Sequence, residues 1–256
     1  MIADRGVWRI AAMRLWLPVL FIAAWQVLVQ IGILNSVLFP APLTLLRSAG
    51  TMLSTGELPR HFRISLIRLA SGLAIGAALG SFYGLAMGAS LRVRQSLEGP
   101  LSALYSTPKL ALLPVVMLLV GVGEWAGILL IASTSFTMMA VHCLDAVRNL
   151  DRGYVDLARN YGAGNKELFF KVYLPGCMPQ IFTGFRLSAG QALVMTISVE
   201  MIMASHGMGS LIWMAWQTFT PDRLYIAVFV VAGTGALLHY TLLYVEKLLI
   251  PWKSPA

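Results

Sequence analysis

The feature that most limits what this chain can become is the recurrence of apolar runs near 20 residues, the length that carries a helix across the ~30 Å of hydrocarbon in a bilayer. Six such runs can be drawn, at 15–33, 66–89, 101–122, 125–144, 181–204 and 224–245. Of the 256 residues, 58% are hydrophobic and only 12% are charged, about half the charged share of a soluble domain. The runs are too long and too continuous for the alternating strands of a membrane barrel. The expected fold is therefore all-α, a polytopic membrane bundle of about six transmembrane helices.

Two stretches depart from simple crossings. The third run is interrupted by Pro108, Lys109 and Pro114, which predicts a bent or broken helix surrounded by protein or water at the break. The stretch from His206 to Phe219 is too short to span and too apolar for a loop, and reads as re-entrant or interfacial. At the N-terminus, Arg5, Arg9 and Arg14 ahead of an apolar run raise the question of a secretory signal. The run from Leu15 to Ile33 exceeds the ~7–15 residues of a signal core, and Asn35 to Pro42 offers no small-x-small cleavage site. It reads as a retained first span.

Lys and Arg near span ends set the orientation. The N-terminus, the 90–100 loop with Arg92 and Arg94, and the 145–180 loop with Arg148, Arg152, Arg159, Lys166 and Lys171 fall on one side. The 121–124 and 206–222 segments, taken as the links on the other side, fix both termini as cytoplasmic, supported by Lys247 and Lys253. The 34–65 loop disagrees, being external yet carrying Arg47, Arg60 and Arg63. The net charge of +8 is what cytoplasmic loops facing anionic lipid supply, and calls for no nucleic-acid partner.

Few residues carry chemistry. Cys143 and Cys177 lack CxxC spacing and a His cluster, so apolar packing is their expected role and no metal is implied. Gly72, Gly76, Gly80, Gly84 and Gly88 fall every four residues along the second run, a device for close helix packing. Glu200 lies inside an apolar run, which makes it a functional hypothesis by default. It is carried as a gate or packing residue whose role a glutamine would substantially preserve. Lys109 and Arg186 are further pathway or gate candidates, with snorkelling toward the cytoplasmic side as the simpler reading. His239 reads as a helix-packing histidine. No HExxH, GxSxG or paired-carboxylate motif is present, nor a G-x-x-x-x-G-K-[ST] phosphate loop. No catalytic residue is expected, and the chain is not read as an enzyme.

The segment "YVDLARNYGAGNKELFFKVYLPG", 154–176, is the exception to the grease. Asp151 to Tyr161 has a helical apolar stripe of Val155, Leu157, Ala158 and Tyr161. Gly162 breaks it as a left-handed cap, Asn165 can N-cap a second helix bearing Leu168, Phe169 and Val172, and Pro175 stops that helix. The product is a cytoplasmic helical knuckle, either a connector lying on the headgroups or a docking element.

Asp156-Leu157-Ala158, Gly162 and Val172-x-Leu174-Pro175 have the spacing of the EAA loop (E-A-A-x3-G-x9-I-x-L-P), with Asp for Glu, Leu for the first Ala and Val for Ile. Together with "TPKLALLPVVMLLVGVGE" (107–124) and "VEMIMASHGMGSLI" (199–212), the chain resembles permease subunits of binding-protein-dependent ABC importers, in the nitrate/sulfonate/taurine branch, over residues 38 to 250. The resemblance implies a type I importer permease fold whose coupling helix docks on a separate ATPase through Asp156, Leu157, Ala158, Gly162, Val172, Leu174 and Pro175. It implies a transmembrane domain at 63–250 with the coupling segment at 151–175, preceded by a tail, first span and external loop at 1–62 and followed by a tail at 251–256. It further implies a second permease copy, forming a homodimer, two ATPase subunits that bind ATP so that this chain needs no cofactor, an external substrate-binding protein, and a bacterial inner membrane. The cargo would be a nitrate-, sulfonate- or taurine-like anion. The rival is a secondary transporter driven by an ion gradient, with Glu200 and His239 as relay groups.

Overall fold

The computed structural model describes residues 3–203 and 205–252, with the side chains of residues 3–15 and 165 outside that description. The charges of Arg5, Arg9, Arg14 and Lys253 therefore lie outside the described side chains. Regular structure among the described residues is helical throughout: α1 (Ala3–Gln30), α2 (Pro42–Ser54), α3 (Glu57–Ala89), α4 (Leu91–Ser106), a 3-10 turn (Lys109–Leu112), α5 (Leu113–Val120) and α6 (Glu124–Arg148). There follow α7 (Arg152–Asn160), α8 (Asn165–Leu168), a π turn (Phe169–Tyr173), α9 (Leu174–Met203), α10 (Met208–Gln217) and α11 (Pro221–Leu249).

Among the described residues, α3, α6 and α11 are each long and apolar enough to cross a membrane. Two bent pairs add a crossing each if counted as single spans, α4 with Lys109–Val120 and Lys166–Met203 with α10. The remaining expected run, 15–33, is the shorter apolar stretch Trp16–Gln30 of α1. That helix ends at Gln30, three residues before the expected end, where Gly32 turns the chain at φ +79°. The second span begins at Glu57 and not at 66, so Arg60 and Arg63, expected in an external loop, sit on helix α3. Likewise the 90–100 loop is the first half of helix α4. The break in the third run is real: the chain bends by 90° between Ser106 and Lys109, where Pro108 cannot donate to a helix and holds Thr107 extended at ψ 130°. The 206–219 stretch is mostly α10.

The chain divides into two compact units, residues 1–61 with 211–230, and residues 62–210 with 231–256. In the first, Trp25 lies 5.8 Å from Tyr225 and 6.2 Å from Phe229. Gln26 accepts the backbone N–H of Leu43 at 3.1 Å, and Arg223 pairs with Glu57 at 3.0 Å.

The second unit is built on a three-helix stack. A Cβ added at Gly72 would meet Ile131 at 2.5 Å, at Gly76 it would meet Ser135 at 2.6 Å, at Gly84 Cys143 at 2.7 Å, and at Gly88 Val147 at 2.6 Å. At Gly76, Gly80 and Gly84 it would also strike the carbonyl oxygens of Ala132, Phe136 and Ala140. The constant offset of these pairs makes α3 and α6 parallel, backbone against backbone. Against α6 lies α9, antiparallel, through Gly127 with Val199, Ser188 with Ser135, and Gly184 with His142. Cys143 and Cys177 are both buried free thiols in this packing, as expected of apolar fillers.

The glycine ridge carries a direct test. Gly84→Ala drives a methyl into the Ala140 carbonyl and should cost about 1–3 kcal/mol by overpacking. Gly99→Ala, on an exposed face of α4 with nothing within 4 Å of the new methyl, should be neutral or gain about 0.5–1 kcal/mol of helix propensity. Melting of the two variants in detergent separates the two effects, and equal melting points would contradict the ridge.

Candidate functional site

The second unit carries functional groups at two opposite ends, linked by α6 and α9. At one end is the knuckle. Asp151 caps α7, its carboxylate accepting the Gly153 N–H at 2.8 Å, so one orphan donor of the first turn is satisfied. At the other end of α7 the Gly162 N–H donates to the Arg159 carbonyl at 2.9 Å and the Ala163 N–H to the Ala158 carbonyl at 3.0 Å. This is the paired 5→2 and 6→1 closure of a Schellman cap, with Gly162 at φ +82°. The next cap falls one residue before the expected Asn165. Gly164 accepts the Leu168 N–H at 2.9 Å, and its own N–H donates to Glu167 at 3.2 Å, the reciprocal half of a capping box. Lys171, at 3.1 Å, and that backbone bond hold the Glu167 carboxyl below the usual range.

Pro175 does not stop the second helix. The chain runs from α8 through the π turn directly into α9, with Pro175 in its first turn. The apolar faces also divide differently from the sequence expectation. Val155 and Leu168 are buried between α7 and α8, while Tyr154, Leu157, Tyr161 and Phe170 are exposed. Asp156 is exposed as well, and Val172, Leu174 and Pro175 are half-buried at the exit.

At the opposite end of α6 and α9 is a charged node. Glu200 is 1% exposed. Its two carboxylate oxygens lie 2.8 and 2.7 Å from the Ser65 hydroxyl, 2.8 Å from Arg68 Nη1 and 3.0 Å from the Gly209 N–H. Ser65 in turn accepts the Met208 N–H at 2.7 Å. Gly207, at φ +132°, passes so close that a Cβ there would run into the Glu200 carboxylate. Arg68 completes the node with a two-pronged pair to Glu124, Nε to Oε2 and Nη2 to Oε1 both at 2.6 Å, and a bond from Nη1 to the His206 carbonyl at 2.6 Å. One arginine thus joins α3, α6 and α9. A cavity of about 220 Å³ opens beside it, lined by Arg68, Glu124, Glu200 and the Val122–Gly123 corner.

Glu200 is therefore a buried carboxylate whose oxygens are taken up by Ser65, Arg68 and the Gly209 N–H, the geometry of a packing residue. Its partners Ser65 and Arg68, and Glu124 on the far side of Arg68, are not singled out by the sequence. Arg68 is the single charge in the 66–89 run, and an intramembrane cation facing an intramembrane carboxylate is the signal that would have found it.

The other candidates lie apart from this node. Lys109 places its ammonium 3.1 Å from the Leu104 carbonyl and 3.4 Å from that of Tyr105, neutralising the C-terminal end of α4. Arg186 pairs with the buried Glu246 at 2.9 Å, tying α9 to α11 instead of reaching a lipid interface. His239 is on an exposed face of α11, its ring 5.6 Å from that of Tyr240, and so is not packed between helices. Among the described residues no group of His, Cys, Asp or Glu is arranged to hold a metal ion.

Residues 61–251 match the family described as binding-protein-dependent transport system inner membrane component. The chain belongs to this family. The permease is 33% identical over 249 residues to a protein of Escherichia coli (strain K12) named as an aliphatic sulfonates transport permease, SsuC, covering 97% of this chain and 94% of that one. It is 30% identical over 239 residues to the taurine transport system permease protein TauC of the same strain, covering 90% and 86%. Its fold matches a chain of the MetNI methionine ABC transporter in an inward-facing conformation with a TM-score of 0.63, at 14% identity over 75% of this chain and 94% of that one. The permease is thus a multi-pass membrane subunit of the type I ABC importer fold.

Proposed function

We propose that this permease subunit forms the translocation pathway for a small sulfonate-like anion and is driven by a separate ATPase that docks on the knuckle. The knuckle carries the proposal. It is a capped helical projection that presents Tyr154, Leu157, Tyr161 and Phe170 to the outside, and exposed apolar groups ringed by charge favour a partner over a free connector. The relatives named for aliphatic sulfonates and taurine support a sulfonate as cargo. In this reading the subunit works as a homodimer in a bacterial inner membrane with both termini cytoplasmic. Two ATPase copies hold the ATP, and an external binding protein delivers the substrate. Closure of the ATPases moves the two knuckles together and rocks the helices between inward and outward facing.

The test is a vesicle assay with the cognate ATPase and binding protein present. ATP-driven uptake of labelled taurine or methanesulfonate is expected, with reporters within 145–180 reading as cytoplasmic and within 206–222 as external. Uptake that ignores ATP and collapses with a proton uncoupler would replace this reading with the secondary transporter.

A further inference from the structure

We propose that the Nε/Nη2 edge of Arg68 is a binding site for a small oxyanion, closed in this conformation by the chain's own Glu124. The proposal deepens the sulfonate reading above and rests on it for the choice of anion.

The guanidinium is divided into two halves of different character. Nη1 is committed to the buried Glu200 and to the His206 carbonyl. The Nε/Nη2 edge meets Glu124, whose side chain is 62% exposed against 9% for Arg68. A two-pronged pair of this kind is the geometry in which arginine recognises any group with two oxygens in one plane, carboxylate, sulfonate or phosphate alike. Glu124 here stands where such a group would sit.

Three observations favour exchange over a permanent pair. The Glu124 side chain is already largely in water, so it gains back full hydration by turning away from Arg68. An entering monoanion restores the charge count that Glu124 leaves, one cation against two anions. The cavity of about 220 Å³ beside the edge is already open, with Val122, Val199 and Met203 as apolar walls and Gly123 and Gly127 keeping side chains out of it. A short alkyl tail suits such walls, and the neighbouring Glu200 carboxylate disfavours a divalent anion over a monoanion.

The experiment uses the full-length permease in lipid nanodiscs, titrated calorimetrically with ethanesulfonate at fixed ionic strength in chloride. Glu124→Gln keeps the shape and removes the competing charge, and should tighten ethanesulfonate binding at least tenfold over the wild-type protein. In that background Arg68→Lys keeps a cation for Glu200 but loses the two-pronged edge, and should weaken binding more than tenfold. If the lysine variant does not reach the membrane, Glu124→Asp gives the second arm: one methylene short of spanning both nitrogens, it should tighten binding by an intermediate amount. Equal affinity in wild type and Glu124→Gln, or binding indifferent to Arg68→Lys, overturns the site. Uptake by the wild-type protein is measured separately. Absent sulfonate uptake with tight binding by Glu124→Gln would remove the transport reading and leave the site standing.

Discussion

Gly162→Val is expected to reach the membrane at a normal level and to lose ATP-driven uptake. No atom lies within 4 Å of a Cβ built at Gly162, so the substitution meets no steric clash. Its cost comes from the backbone, held at φ +82° by the Schellman cap. A β-branched residue there costs about 1–2 kcal/mol, and extending α7 through the cap relieves it. That extension breaks the bonds to Arg159 and Ala158 and redirects α8, with Phe170 after it, relative to the exposed Tyr154, Leu157 and Tyr161 of the α7 segment. Gly162→Asn tolerates the left-handed region and should retain most uptake. Gly164→Ala should also be mild, because Gly164 is not among the positive-φ residues. The measurement is uptake and ATPase co-purification for the three variants at matched membrane level. Normal ATP-driven uptake by Gly162→Val would reduce the knuckle to a connector.

Removing the Glu200 carboxylate should have the largest effect on stability. Glu200→Ala leaves the Ser65 hydroxyl, the Gly209 N–H and one hydrogen of Arg68 Nη1 without their acceptor inside the bundle, at about 1–3 kcal/mol for each unsatisfied donor, while the Arg68 charge keeps Glu124. On the sequence alone, glutamine would serve. The geometry says otherwise, since every group facing the carboxylate is a donor and the glutamine amide would present two more hydrogens to them. Glu200→Gln should therefore lose about 1–3 kcal/mol and fall between wild type and alanine in a detergent melting series. Arg68→Met with Glu200→Leu should recover part of the loss, because a buried pair replaced by apolar groups is often neutral or better. An alanine variant that melts with the wild-type protein would show that the node contributes nothing to the fold.

The sequence revealed what depends on local chemistry and hid what depends on distant pairing. Apolar length disclosed the crossings, the Pro108 break disclosed the bend, and the four-residue spacing of Gly72 to Gly88 disclosed a close-packed helix face. Gly162 was readable because a glycine after a helix has one common use. The node was only half readable. Glu200 stood out, but its partners are 132 and 135 residues away in Arg68 and Ser65, and helical spacing says nothing about separations of that kind. Pro175 misled for a related reason: proline punctuates both the end of a helix and its first turn, and only the uninterrupted chain into α9 distinguishes the two.

The seam between α6 and α9 has a mechanical consequence. Both helices run unbroken from node to knuckle, and at ~1.5 Å per residue the 25 residues of α6 make a rod of about 37 Å. Along it, Gly127 faces Val199, Ser188 reaches the Ser135 carbonyl, Gly184 faces His142, and Ala189 and Ala192 are fully buried, a close-packed seam with little free volume to absorb a displacement. Two rods joined this closely tilt as one lever. A rotation of about ten degrees about their midpoint carries each tip about 3 Å in opposite directions, enough to part a hydrogen-bonded contact at the far end. In the proposed reading, force applied at the knuckle would reach the Arg68–Glu124 contact through this lever, with Pro179 near the knuckle end of α9 as the point where it can bend.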